Sequence, residues 1–212
     1  MFKTMKSDDK YFLYKDGKVV SFLNDIKYKE NNVYNMVCEI PVNTLDKMEM
    51  SKLYNNPIVQ DIEDNKPRKL KYGEIPWNYG FIPQTLEDKD IICDKLNLPG
   101  DGDPIDVIDV SDIRAKIGDI IKIKVIGIMP LIDEGEADWK VIGINIKDSL
   151  SNIIDSVNDL YPFQTNKIYD WFINYKKHKG IQNKVGMNKF IQDKNLAIEI
   201  IEKCHDQWKN KI

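Results

Sequence analysis

Two histidines and three cysteines in 212 residues leave little scope for several common chemistries. Zinc held by histidine and nucleophilic triads built on histidine both need a residue type that His178 and His205 barely supply. Cys38, Cys93 and Cys204 are far apart, odd in number and without C-x-x-C spacing. That predicts reduced thiols in an intracellular chain rather than a disulfide framework. Long apolar runs are missing too. The most hydrophobic stretch, DIIKIKVIGIMPLIDEGE, is interrupted by Lys122, Lys124 and Pro130. It falls short of the about 20 apolar residues that a membrane span needs. The opening residues MFKTMKSDDKYFLYKDGK show no apolar signal core, so the expected compartment is the cytoplasm, with no membrane partner. No G-x-x-x-x-G-K-[ST] run is present, which excludes a P-loop. Neither sign of charge dominates. With 31 basic and 34 acidic residues the net charge is −3, unlike a polybasic nucleic-acid binder, and no nucleic-acid partner is expected.

What is present is alternation. KYFLYKDGKVVSFL places two apolar-rich runs around Asp16-Gly17, a hairpin signature. VYNMVCEIPV reads as a strand, with Val37, Glu39 and Pro41 on one face and Met36, Cys38 and Ile40 on the other. DKMEM alternates as well, so Lys47 and Glu49 share a face. KLKYGEIPWNYGFIPQTL predicts short strands joined by turns. DVIDV, GDIIKIKVIGIMPLI and DWKVIGINI read as three further strands, with Ile121, Ile123 and Val125 facing one way. The period changes late in the chain. Ile168, Trp171, Phe172 and Tyr175 recur at helical spacing, as do Leu196, Ala197, Ile200, Ile201, Cys204 and Trp208 behind Asp193 as N-cap. The pattern predicts one α+β domain over 1–212, with a small β-barrel core and amphipathic helices in the C-terminal third. Residues 1–10 are expected to be disordered.

The chemistry gathers in the acids. PGDGDPIDV puts Asp101, Asp103 and Asp106 within six positions, after a Pro-Gly turn and at the mouth of a strand. Like charges this close destabilise one another unless a cation sits among them. Oxygen ligands so arranged suit magnesium, manganese or calcium. A solvated acidic turn is the plain alternative. An EF-hand is excluded by Ile105 and Asp106 at its fifth and sixth positions. A second acidic stretch, LIDEGEADWKVIGI, carries Asp133, Glu134, Glu136 and Asp138, with Lys140 two residues beyond Asp138 and on the same strand face. A carboxylate for a metal beside an ammonium for an anion is what a metal–phosphate site needs. Lys47 with Glu49, Tyr175 with Lys176, and Tyr79 are weak signals taken singly. An alternative reading has Trp77, Tyr79 and Phe81 exposed on a barrel to stack nucleobases.

GDGDPIDV resembles the D-x-D-P-apolar-D-apolar signature of the soluble family I inorganic pyrophosphatases. NMVCEIP, NPIVQD, NYGFIPQT, LIDEGEADWKVIGI, DWFINYKK and CHDQW resemble its eukaryotic branch, in the same order, from about residue 10 to the C-terminus. The resemblance implies a closed OB-like barrel with flanking helices. It also implies magnesium-dependent hydrolysis of pyrophosphate to two phosphates; manganese would substitute and calcium inhibit. It assigns Asp101, Asp106 and Asp138 to the metals nearest the attacking water, and Asp103 to accepting that water's proton. Asp133 and Glu49 would serve further metals, with Glu39 behind the ligands. Lys47, Lys140, Tyr175 and Lys176 would grip phosphate oxygens, and Tyr79 would hydrogen-bond within the site. One stretch departs from the pattern: KPRKLKYGEIPWNYG is shorter than its counterpart and has Ile75 four residues before Tyr79. Lys71 falls at the family's Arg position, with Arg68 as the alternative and Tyr72 as stand-in for the missing Tyr. A homodimer is expected by analogy.

Overall fold

Asp-Gly turn chemistry sets the first sheet. In the computed structural model, which describes residues 1–212, β1 (Phe2–Ser7) pairs with β2 (Lys10–Lys15), and β2 pairs with β3 (Lys18–Val20). Asp16 and Gly17 have φ of 52° and 80°, the primed turn whose twist matches a hairpin. The expected disorder of residues 1–10 is corrected. Phe2 through Ser7 pair in register with Lys15 through Lys10, and Thr4 Oγ1 donates to the Gly118 carbonyl at 2.7 Å.

The chain continues through β4 (Lys29–Glu30) and β5 (Val33–Ile40), then β6 (Met48–Met50) and β7 (Ile58–Gln60). Two-residue arms β8 (Ile62–Glu63) and β9 (Lys66–Pro67) make a small hairpin. After β10 (Asn78–Phe81), β11 (Ile92–Cys93) and β12 (Leu98–Pro99) form another. The main strands β13 (Asp106–Asp109), β14 (Ile120–Asp133) and β15 (Glu136–Asn145) follow. Helix α1 (Pro162–Asn174), short strands β16 (Lys184–Val185) and β17 (Gln192–Asp193), and helix α2 (Lys194–Lys209) complete the chain. No helix is long and apolar enough to cross a membrane.

One sheet runs β1-β2-β7-β6 with β3 on β2. In the other, β5, β10, β13, β15 and β14 are hydrogen-bonded in sequence, and β14 pairs back to β5, so five strands close a ring. Only β13 and β15 run parallel within it. Two apolar clusters flank the strands. One joins Val37, Phe81 and Ile142 to Leu13, Ile58 and the buried face of α1. The other joins Met36, Val107 and Val141 to Ala197, Ile200, Ile201 and Cys204 of α2. Both helices bury the stripes their spacing predicts, and the Asp193 carboxylate caps α2 by accepting from the Asn195 and Leu196 N–H groups.

Strict alternation fails at two bulges. Ile121, Ile123 and Val125 share a cluster as expected, but a register shift between Val125 and Gly127 sends Met129 and Leu131 to the opposite side. A second shift, at Tyr79/Gly80 against β5, moves Ile40 away from Met36 and Cys38 and into the cluster of Val37. Gly80 makes that second junction possible, because a Cβ there would overlap the Val37 carbonyl oxygen. Gly80→Ala is therefore expected to destabilise the fold by about 3 kcal/mol or more, since the obstacle is backbone and cannot rotate aside. Denaturant unfolding checks this, and an unchanged midpoint would contradict it.

Candidate active site

The β13–β15 register builds the centre. Parallel pairing sets Asp106 beside Lys140, and Asp138, two residues earlier on β15, projects from the same face. Lys140 is only 3% exposed, and its ammonium donates to both Asp106 and Asp138. Burial works against its charge, but Asp106 and Asp138 outweigh it and hold Lys140 well above the ordinary lysine range. Tyr79 reaches across from β10, and its hydroxyl donates to Asp106. Burial, then Asp106, keep this phenol far from ionising.

These groups face a cleft of about 420 Å³. Asp101 and Asp103 enter it from the loop before β13, where the Asp101 carboxylate accepts from the Asp103 N–H at 2.9 Å. Glu49 enters from β6 and Lys47 from the position just before that strand, the two paired at 3.3 Å. Glu39 enters from β5, its carboxylate accepting from the Met50 N–H. Tyr175 and Lys176 enter from the end of α1. The cleft thus interleaves six carboxylates with five cations.

Asp133 does not line the cleft. It stands at the edge, accepting from the Tyr175 hydroxyl at 2.7 Å and from Lys176 Nζ at 2.6 Å. The uncertain stretch also resolves spatially. Arg68 lines the cleft, with its guanidinium donating to Asp61 at 2.7 Å and its backbone carbonyl accepting from the Lys47 N–H. Lys71 and Tyr72, the other candidates in this stretch, lie outside it. Lys71 pairs with Glu63 at 3.4 Å, and the Tyr72 hydroxyl donates to Asp170 at 2.9 Å. The β8–β9 hairpin sets this phase, because it ends at Pro67 and delivers the next residue, Arg68, beside Lys47.

Two cleft-side groups escape the sequence reading. Lys52 pairs with Asp103 at 3.0 Å, although nothing in MEMSKLYNN marks it out from other surface lysines. Glu87, in QTLEDKD, is 4% exposed. It offers a carboxylate oxygen within 4.8 Å of those of Asp101 and Asp138.

Buried acids without enough cations resist ionisation. Burial, reinforced by Asp138 and Asp106, pushes Asp101 up to about 8. Burial lifts Asp138 to about 6, against the pull of Lys140. Glu39 reaches about 8, again chiefly through burial. The donors are oxygens, and those of Asp101 and Asp138 converge in the cleft, with the buried carboxylate of Glu87 packed close to them. That set fits a hard divalent cation. The nucleobase-stacking alternative loses its platform, because Trp77, Tyr79 and Phe81 are all buried.

Converging acids set among four lysines and an arginine in one cleft are the arrangement that metal-dependent phosphoryl transfer needs. A family model described as inorganic pyrophosphatase matches residues 36–209. The chain is 37% identical to the inorganic pyrophosphatase of Zygosaccharomyces bailii, over 97% of this chain and 76% of that one. It is 40% identical to that of Bos taurus, over 91% and 70% respectively. Among solved structures, the inorganic pyrophosphatase from Schistosoma japonicum superposes with a TM-score of 0.94 at 35% identity, covering 100% of this chain and 81% of that one. An N-terminally truncated vacuolar soluble pyrophosphatase from Trypanosoma cruzi, in complex with PPi, gives 0.91 at 33%, covering 100% and 91%. The chain belongs to the inorganic pyrophosphatase family, as its seven quoted motifs imply.

Proposed function

We propose that this protein hydrolyses inorganic pyrophosphate to two orthophosphates with magnesium, by direct attack of water and without a phosphoenzyme. The observation that carries this reading is the convergence of Asp101, Asp106 and Asp138 with Lys140 in one cleft. Bound divalent ions would neutralise the diphosphate and make the attacking water acidic. The chain's own residues do the rest. Asp101, Asp106 and Asp138 would hold the ions nearest the water, and Asp133 and Glu49 would hold those that arrive with substrate. Asp103, at the solvent mouth of the cleft, accepts the water's proton. Lys47, Arg68, Lys140 and Lys176 take up charge on the phosphate oxygens, while Tyr79 and Tyr175 donate as neutral phenols. Glu39 stands behind them as a buried acid. The five-strand ring is read as a closed OB-like barrel, and the protein as a cytoplasmic homodimer. Manganese is expected to substitute for magnesium. Calcium is expected to inhibit, because it tolerates irregular coordination that misplaces the water.

Phosphate release from pyrophosphate, tripolyphosphate and ATP, each with and without magnesium, tests this. Rapid release from pyrophosphate with magnesium, far exceeding the other two, is expected; preference for ATP would overturn the substrate assignment.

The same acids give a pH signature. Asp101, Asp138 and Glu39 bind protons more tightly folded than unfolded. Their contribution to stability is full below the ordinary carboxylate range of about 4. It is lost as pH rises through about 6 and then about 8. The metal-free protein is therefore expected to melt at lower temperature at pH 8 than at pH 5. Magnesium at about 100 times its Kd should return about 2.7 kcal/mol, or roughly 5–10 °C. At one fixed magnesium concentration the gain should be larger at pH 8, where the ion displaces fewer protons. A magnesium effect that shrinks with rising pH would contradict this assignment.

A further inference from the structure

Glu87 belongs to no strand, and its carboxylate does not line the cleft, yet it touches both the loop that carries Asp101 and the strand that carries Asp138. Its main chain grips the loop that carries Asp101. The Glu87 N–H donates to the Asp103 carbonyl at 2.8 Å, and the Glu87 carbonyl accepts from the Gly102 N–H at 2.7 Å. Gly100 lies so close that a Cβ there would overlap the Glu87 carbonyl group, so this junction has no slack. The side chain grips the other segment. Glu87 Oε1 accepts from the Trp139 N–H at 3.1 Å, and Trp139 sits on β15 between Asp138 and Lys140. The second oxygen, Oε2, is buried without a partner, and the carboxylate as a whole offers an oxygen within 4.8 Å of those of Asp101 and Asp138.

We infer that Glu87 is a positioning residue that fixes the spacing of Asp101 and Asp138 by tying their loop and strand together, and that it acts by reach and hydrogen bonding rather than by charge. The acidic loop and β15 are otherwise joined by the Gly100–Ala137 bridge at one end and by the β13–β15 pairing that starts at Asp106 and Lys140 at the other. Without the carboxyl group the loop would be free to shift relative to the strand while each acid stayed in place on its own segment. Groups that orient metal ligands in this way alter ion affinity by about 10- to 100-fold when changed.

The inference rests on the reading that Asp101 and Asp138 hold divalent ions. It separates geometry from charge. Glu87→Gln keeps the length of the side chain and an oxygen for the Trp139 N–H. Glu87→Asp keeps the charge but shortens the reach by a methylene, too far to hold that bond. The measurement is Mn²⁺ binding to the substrate-free protein, by calorimetry or electron paramagnetic resonance, with circular dichroism to verify that both variants fold. The expected result is that Glu87→Gln binds Mn²⁺ within about threefold of the unaltered chain, while Glu87→Asp loses about 10- to 100-fold. The reverse order would make Glu87 a charged ligand and overturn the inference, as would equal loss in both variants or loss in neither. Failure of the unaltered protein to bind Mn²⁺ would instead overturn the metal site itself.

Discussion

Asp106→Asn is expected to hydrolyse pyrophosphate at least about 10³-fold more slowly than the unaltered enzyme while keeping its fold. The side chain is nearly isosteric, and its remaining oxygen still accepts from Tyr79 and Lys140, the two donors that Asp106 serves. What disappears is the negative charge that Asp106 is proposed to offer the divalent ions nearest the attacking water. Several kcal/mol of transition-state stabilisation goes with it, and each 1.4 kcal/mol is about tenfold in rate. Steady-state phosphate release under limiting magnesium reads this directly. Near-normal turnover with an unchanged circular dichroism spectrum would remove Asp106 from the metal assignment. Asp109, three residues on along β13, is a useful contrast. It is fully occupied by structural hydrogen bonds from Asn78, Ser111 and the Asn145 N–H, so its job is to hold strands.

Lys140→Met is expected to cost both stability and rate. Its ammonium is buried between two carboxylates and lies over the rings of Tyr79 and Phe172 at 5.7 and 5.9 Å. Methionine fills the space but leaves Asp138, 5% exposed, without its cation. Removing one partner of such a pair costs about 3–5 kcal/mol. In a chain of this size that lowers Tm by roughly 10 °C in the metal-free protein. Divalent ions should recover part of that loss, because they supply positive charge to the same carboxylates. The rate should fall by about 10²- to 10³-fold even at saturating magnesium, through loss of a donor to phosphate. A melting temperature equal to that of the unaltered chain would show that Asp106 and Asp138 do not depend on Lys140.

Much of this site was legible because its acids come in runs. Asp101, Asp103 and Asp106 occupy one turn, and Asp138 and Lys140 share a strand face by simple alternation, which β15 keeps. Lys47 and Glu49 share a face by the same alternation, but only the family resemblance singled them out. What alternation could not give was anything depending on a bulge or on the length of a turn. Ile40 changed face because of the shift at Gly80, and Met129 because of the shift before Gly127. Which of Arg68 and Lys71 lines the cleft could not be read from spacing, because the length of a two-residue-armed hairpin decides it. Glu87 was invisible for another reason: a lone glutamate in a polar loop carries no periodic signal, and its value lies entirely in what the fold brings against it. The N-terminal strand was missed because Lys3, Met5 and Lys6 lie on a solvated edge, where hydrophobic patterning is weak even though backbone pairing is complete.

The central claim is that the cleft acids hold divalent ions. Anomalous diffraction from crystals grown with Mn²⁺ tests it most directly. The account requires peaks inside the cleft at about 2.0–2.2 Å from carboxylate oxygens of Asp101 and Asp138. Crystals that show ordered carboxylates there but no peak between them, at Mn²⁺ concentrations that support turnover, would contradict it.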